Sequence, residues 1–262
     1  MKYVEKGLLG EISRKLNYLE RRMSPESILK KGKILDNKIL KAAQYQSFRI
    51  EYPNSGSSYS IPRNCNKQTI KEGVENIENA FNWGKKFFKG EVNEDFIKEL
   101  SIRITPEIYS ESLANYRDSG TRILGATTTP PDPYKVREKE MPWFVDSLNK
   151  KLKYPDKISQ ILASFFAHLH LVRIHPFQDG NGRTSRTLQD IILDFNGIPT
   201  PIINSGERYT YFDFLDKAVY DWKRLKSSGE ICNGSTGGEQ GFYTFMAGKL
   251  NDSLDKVVCS IK

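Results

Sequence analysis

His175-Pro176-Phe177-Gln178-Asp179-Gly180-Asn181-Gly182-Arg183-Thr184-Ser185-Arg186 puts a base, a carboxylate, two glycines and two arginines within twelve residues. Apolar residues recur at helical spacing on both sides of it. Upstream they are Ile158, Ile161, Leu162, Phe165, Phe166, Leu169 and Val172; downstream they are Leu188, Ile191, Ile192 and Phe195. The stretch therefore reads as a helix–loop–helix whose second helix opens near Gly182. The first N–H groups of a helix lack intrahelical acceptors, and the dipole there favours an anion. Glycines let the backbone come close to that anion. Arg183 and Arg186 are three apart on the new helix, share a side, and can fork onto phosphate oxygens. The pattern is a polyphosphate cradle with a histidine and a carboxylate at its lip.

The whole chain sets the frame. Its 262 residues are enough to bury a sizeable core, and its 38% hydrophobic and 27% charged content is ordinary for a soluble globular protein. No apolar run reaches the roughly 20 residues of a membrane span, and no apolar signal segment stands at the N-terminus. Cys65, Cys232 and Cys259 are scattered, form no CxxC pair and leave one unmatched, which suits a reducing cytoplasm. The net charge of +8 is uneven: residues 1–45 carry eleven lysines and arginines against five acidic residues. Few aromatics are interleaved there for base stacking, so a solvated basic face is the better reading and nucleic acid is disfavoured.

Residues 1–50 read as a basic region of two helices, striped by Leu9, Ile12, Leu16, Leu19 and by Ile34, Leu35, Ile39, Leu40. Ser24-Pro25-Glu26 is the expected N-cap of the second. Turn formers between Glu51 and Gln68 mark the boundary to a helical domain spanning 51–262. Helical patterns resume at Ile70–Trp83 and after Asn93-Glu94-Asp95. Residues 116–133, rich in Gly, Thr and Pro, exclude a helix, and Thr121-Arg122-Ile123-Leu124 has the composition of a short extended strand. On residues alone that stretch reads as a connector. Asn196-Gly197-Ile198-Pro199 stops the helix after the loop. Gly229 to Gly241 reads as a mobile glycine-rich loop before a last helix starting at Phe242. The predicted class is all-α.

The His175–Arg186 run resembles, without a mismatch, the Fic family signature HPF-x-(D/E)-GNG-R-x-x-R, nine fixed positions in a dozen. The resemblance covers roughly residues 110–225 and implies a helical bundle with one small β-hairpin, the flap, here Thr121, Arg122, Ile123 and Leu124. The flap aligns a target segment by strand addition, a known recognition mode. The resemblance implies a protein adenylyltransferase that moves AMP from ATP to a Ser, Thr or Tyr hydroxyl of a protein. His175 matches the general base and Asp179 the Mg²⁺ ligand. Phe177, Gly180, Asn181, Gly182, Arg183 and Arg186 form the nucleotide-binding loop. His168 and His170, two apart on one helix, point to different faces and read as packed or hydrogen-bonded residues rather than metal ligands.

Two further implications concern control and chemistry. Many Fic proteins carry an inhibitory helix, (S/T)-x-x-x-E-(G/N), whose glutamate pairs with the second motif arginine, here Arg186. Ser57-Ser58-Tyr59-Ser60-Ile61 has Pro62 where the glutamate belongs. Ser235-Thr236-Gly237-Gly238-Glu239 has the spacing but two glycines and a following Gln240. With no intact copy, the sequence predicts a chain that is constitutively active, restrained by a partner in trans, or controlled otherwise. The alternatives for the reaction are transfer of UMP, phosphocholine or phosphate, or a non-catalytic nucleotide-binding module. The phosphorylating Doc branch has Asn-Ala-Asn-Lys where this chain has Gly-Asn-Gly-Arg, which disfavours phosphate transfer. The intact His175 and Asp179 disfavour the pure binder.

Overall fold

The helix before the loop, Lys157–Ile174, is apolar on nearly every face and almost wholly buried, as a helix at the centre of a helical protein must be. The other elements surround it. A computed structural model describes residues 4–22, 33–52, 67–108, 115–123, 125–227 and 236–261. In chain order its longer helices are α1 (Lys6–Arg22), α2 (Lys33–Glu51), α3 (Lys67–Phe87), α4 (Glu94–Ile104), α5 (Met141–Leu152), α6 (Lys157–Ile174), α7 (Asn181–Phe195), α8 (Arg208–Ser227) and α9 (Gly237–Ile261). The fold is all-α, and α6 packs on α7, the pair that carries the loop.

One apolar cluster runs through the molecule. Ile12 and Leu16 of α1 and Phe48 and Ile50 of α2 belong to it together with Leu100, Phe144, Phe165, Ile191 and Leu250. The N-terminal helices are thus built into the same core as the loop-bearing pair. Charged residues of α1 pair with opposite charges elsewhere: Lys15 lies 2.5 Å from Asp255 on α9, and Glu20 2.6 Å from Lys157 on α6.

Local signals read in the sequence operate as expected at several ends. Asn93 caps α4 by accepting from Phe96 N–H at 2.7 Å. Helix α7 ends in a Schellman motif: Gly197 has φ 64°, Ile198 N–H bonds Leu193 O, and Gly197 N–H bonds Asp194 O. The N-cap expected at Ser24–Glu26 lies outside the described residues.

One expectation is not confirmed and one is corrected. Among the described residues there is no β-strand, so the flap hairpin is absent as a ladder. Residues 115–123 and 125–132 run as irregular chain, with Ala126 N–H bonding Ile123 O at 3.1 Å and Gly125 at φ 81°. This is a reversing turn without a second strand to pair; Leu124 itself lies outside the described residues. The glycine-rich loop is also shorter than expected, because α9 begins at Gly237. A Cβ on Gly238 would lie 2.5 Å from the carbonyl oxygen of Lys217 and 2.8 Å from Ala218 Cα. Glycine here permits close approach of α9 to α8, a role separate from flexibility.

Candidate active site

The loop between α6 and α7 is shaped by two left-handed residues. His175, at the C-cap of α6, has φ 52° and ψ 56°, and Gly180, at the N-cap of α7, has φ 73°. Among the described residues His175 is the only non-glycine with positive φ. Such a conformation costs an L-residue about 1–2 kcal/mol. Gly180 also has no room for a side chain, since a Cβ would meet Thr105 at 2.8 Å. Phe177 between them is fully buried and packs near Tyr116, with ring centroids 5.9 Å apart. Asn181 closes the loop on itself: its side-chain oxygen accepts from Phe177 N–H at 2.9 Å and its amide donates to Phe177 O at 2.8 Å. Of the residues assigned to nucleotide binding, Phe177 and Asn181 therefore act in this structure on the loop's shape.

His175 is held neutral. Burial moves its pKa below the usual histidine value, against the carbonyl of Val172 and the charge of Glu51, which pull upward. Its Nδ1 lies 3.3 Å from the Val172 carbonyl, an acceptor only, so Nδ1 carries the proton and Nε2 keeps the lone pair. Asp179 is 47% exposed and bonds Arg183 at 3.2 Å. Arg183 and Arg186 are almost completely buried.

The two arginines converge on a carboxylate that the sequence reading passed over. Glu51, the last residue of α2, takes Arg186 Nη2 at 2.6 Å and Arg183 Nε at 3.5 Å. It lies against the first turn of α7, for a Cβ on Gly182 would come within 2.2 Å of its Oε1. Burial would raise the Glu51 pKa, but the two guanidinium groups outweigh it and hold the carboxyl below the usual range. Ser47, one turn earlier, accepts from Arg186 through its hydroxyl at 2.7 Å and its carbonyl at 3.0 Å. Ser47-Phe48-Arg49-Ile50-Glu51 has the serine-to-glutamate spacing of the inhibitory helix, with Tyr52 where that pattern has Gly or Asn. A glutamate thus faces Arg186 although no intact copy of the inhibitory pattern stands in the sequence. The candidate at Ser57–Pro62 lies outside the described residues. The one ending at Glu239 is a capping box, Thr236 and Glu239 bonding each other's backbone N–H, with Glu239 3.6 Å from His170.

Arg186 is also tied inward. Its Nη1 donates to the Tyr211 hydroxyl at 3.3 Å, that hydroxyl lies 2.7 Å from His168 Nε2, and His168 Nδ1 lies 2.9 Å from Gln189 Oε1. Arginine only donates, so the relay runs outward from Arg186. His170 is bound instead to Arg173, at 3.2 Å. Both histidines are hydrogen-bonded core residues. No group of three or more candidate metal ligands occurs among the described residues. Nor is any helix among them long and apolar enough to cross a membrane. Of the expected flap residues, Arg122 is exposed and Thr121 and Ile123 are half-buried.

Comparison with known proteins agrees with this geometry. Residues 91–193 match the Fic/DOC family. The protein adenylyltransferase Fic of Drosophila virilis is 52% identical over 167 residues, 64% of this chain and 30% of that protein. The protein of the same name from Nematostella vectensis is 36% identical over 124 residues, 47% of this chain and 28% of its own length. The matched stretches thus amount to less than a third of those relatives. A Fic-domain-containing signalling protein of Bacteroides thetaiotaomicron superposes with a TM-score of 0.73 at 20% identity, over 98% of this chain and 96% of that one, which shows the shared fold. Residues 91–193 of this chain are a domain of the Fic/DOC family.

Proposed function

We propose that this chain transfers AMP from ATP to a Ser, Thr or Tyr hydroxyl of a target protein, and that Glu51 restrains it. The observation that carries the reading is the anion already lodged at the site. The chain's own carboxylate lies across Arg183, Arg186 and the start of α7, the place built for outer phosphates. ATP enters by displacing it. The neutral His175, with its lone pair on Nε2, takes the proton of the target hydroxyl. The hydroxyl oxygen bonds to the α-phosphorus, the α–β bridging bond breaks, and pyrophosphate leaves with its charge on the two arginines.

Asp179 is a half-exposed hard-oxygen donor beside the loop, which fits Mg²⁺ held by one carboxylate together with substrate phosphates. Asp179 would hold the ion, which would supply charge neutralisation on the phosphates. Thr121, Arg122 and Ile123, beside the turn at Gly125, are the residues assigned to docking the target chain, with Leu124 next to them in sequence.

The test is incubation with α-labelled ATP and Mg²⁺ in the presence of lysate proteins. Label on protein that disappears in His175→Ala and on chelation by EDTA supports the reading. Nucleotide binding with no label on any protein overturns it in favour of the binding module.

A further inference from the structure

Among the described residues Arg117 has no carboxylate within ion-pair distance, although the charge of Asp132 acts on it. It is buried, with 5% of its surface exposed, and its guanidinium is spent on backbone carbonyls. Nε donates to His175 O at 2.8 Å, Nη1 to Ser119 O at 2.8 Å, and Nη2 to Pro131 O. Its own N–H bonds Pro176 O at 2.9 Å. Two consecutive carbonyls of the base-bearing loop are therefore fixed by one residue. The same planar fork holds both ends of the 119–131 segment, which contains the turn at Gly125. Arg137 braces it from behind, bonding the carbonyls of Tyr116 and Arg117 at 3.4 and 3.3 Å.

We infer that Arg117 is a positioning residue that locks the strained backbone of His175 and sets the distance between the base and the target-docking segment. The physical need is plain. His175 sits in the left-handed region just before a proline, which restricts it further. Its carbonyl and that of Pro176 are turned toward the 117–131 segment, where only a donor with fixed geometry satisfies several acceptors at once. A guanidinium presents five N–H groups in a rigid plane, and an ammonium cannot reproduce that span. Because the fork also grips Ser119 and Pro131, a target aligned along the segment is registered to the histidine. The inference deepens the AMP-transfer reading and rests on it for its kinetic arm only.

The test uses the full chain with Arg117→Lys, Arg117→Gln and Arg137→Gln, the last at an exposed position away from the core. In steady-state labelling, both Arg117 variants lose roughly 100-fold in kcat, the scale of a 1 Å misplacement, while KM for ATP stays within twofold. Arg137→Gln moves the same way by a few-fold. Independently of any labelling, the His175 imidazole is titrated by NMR. Besides Arg117, the charged groups facing it are Glu51 from α2 and Asp179 from the loop, both of which raise its pKa, whereas Arg117 lowers it. Arg117→Gln therefore raises the His175 pKa, and Arg117→Lys, which keeps the charge, leaves it near wild type. A chain that labels nothing but still shows this titration pattern sinks the transfer reading and keeps the clamp. Wild-type kcat in Arg117→Lys, or His175 titration unmoved in Arg117→Gln, overturns the clamp. If the Arg117 variants do not fold, wild-type kinetics and His175 titration in Arg137→Gln overturn it instead.

Discussion

Glu51 joins both arginines of the loop through one side chain. It bonds Arg186 at 2.6 Å while 23% exposed, and Arg186 retains Ser47 and Tyr211 when Glu51 is gone. Glu51→Gln is therefore expected to fold, losing roughly 1–3 kcal/mol of stability for the broken charged hydrogen bond. Label incorporation should rise at least tenfold, since about 1.4 kcal/mol of lost competition for the phosphate site is a factor of ten. A variant that labels no faster than wild type, with ATP affinity unchanged, would remove Glu51 from the regulatory account. The His175–Arg186 run was legible without a structure because its chemistry is contiguous in sequence. Glu51 was not. Its partner lies 135 positions away, and Tyr52 breaks the local pattern that would have drawn attention to Ser47. Arg117 was equally hidden, because the carbonyls it serves carry no side-chain signature.

Among the elements, α6, α7 and their caps were readable from periodicity and from Asn196-Gly197-Ile198-Pro199, since local hydrogen bonds decide those ends. The start of α9 was misread because glycine has two uses, and only tertiary contact separates them. Gly238→Ala should be tolerated by the isolated helix and resented by the protein. Its Cβ meets backbone atoms of Lys217 and Ala218, which cannot rotate away. The expected cost is about 1–3 kcal/mol of overpacking, visible as a lower urea midpoint with unchanged slope. An unchanged midpoint would mean that α8 and α9 are free to separate. The flap is not confirmed: strand composition at Thr121–Leu124 is a preference that needs a ladder partner, and no strand occurs among the described residues.

At the level of the whole molecule, buried ionisable groups tie stability to pH. Burial pushes His168 down to about 3 and His170 down to about 4. The unfolded chain, with ordinary histidines, binds more protons, so each of the two lowers stability as pH falls below about 6.5. Asp190, pushed by burial up to about 7, acts in the opposite sense: its favourable share is complete below about pH 4 and is lost as pH rises through 7. Between about pH 4 and 6.5, Asp190 offsets one histidine. The net effect is stability gained as pH rises through this range, and the lowered pKa of buried His175 adds to it. Below that range the depressed carboxyls of Glu51, Glu140 and Glu239 add to the loss. Urea midpoints taken at half-unit steps should climb from pH 4.5 to 6.5; a flat profile would show that these groups are hydrated.

Glu51 is the terminal residue of its helix, followed by Tyr52, whose N–H bonds Phe48 O at 3.1 Å. A carboxylate on a tether behaves as a competitive inhibitor at fixed effective concentration. On the proposed restraint, its strength would follow how often the final turn of α2 opens, since helix ends open more readily than the core that holds Phe48 and Ile50. On the proposed function, output would then grade with nucleotide concentration, and anything that gripped the end of α2 would act as a volume control, with no change at the loop between α6 and α7.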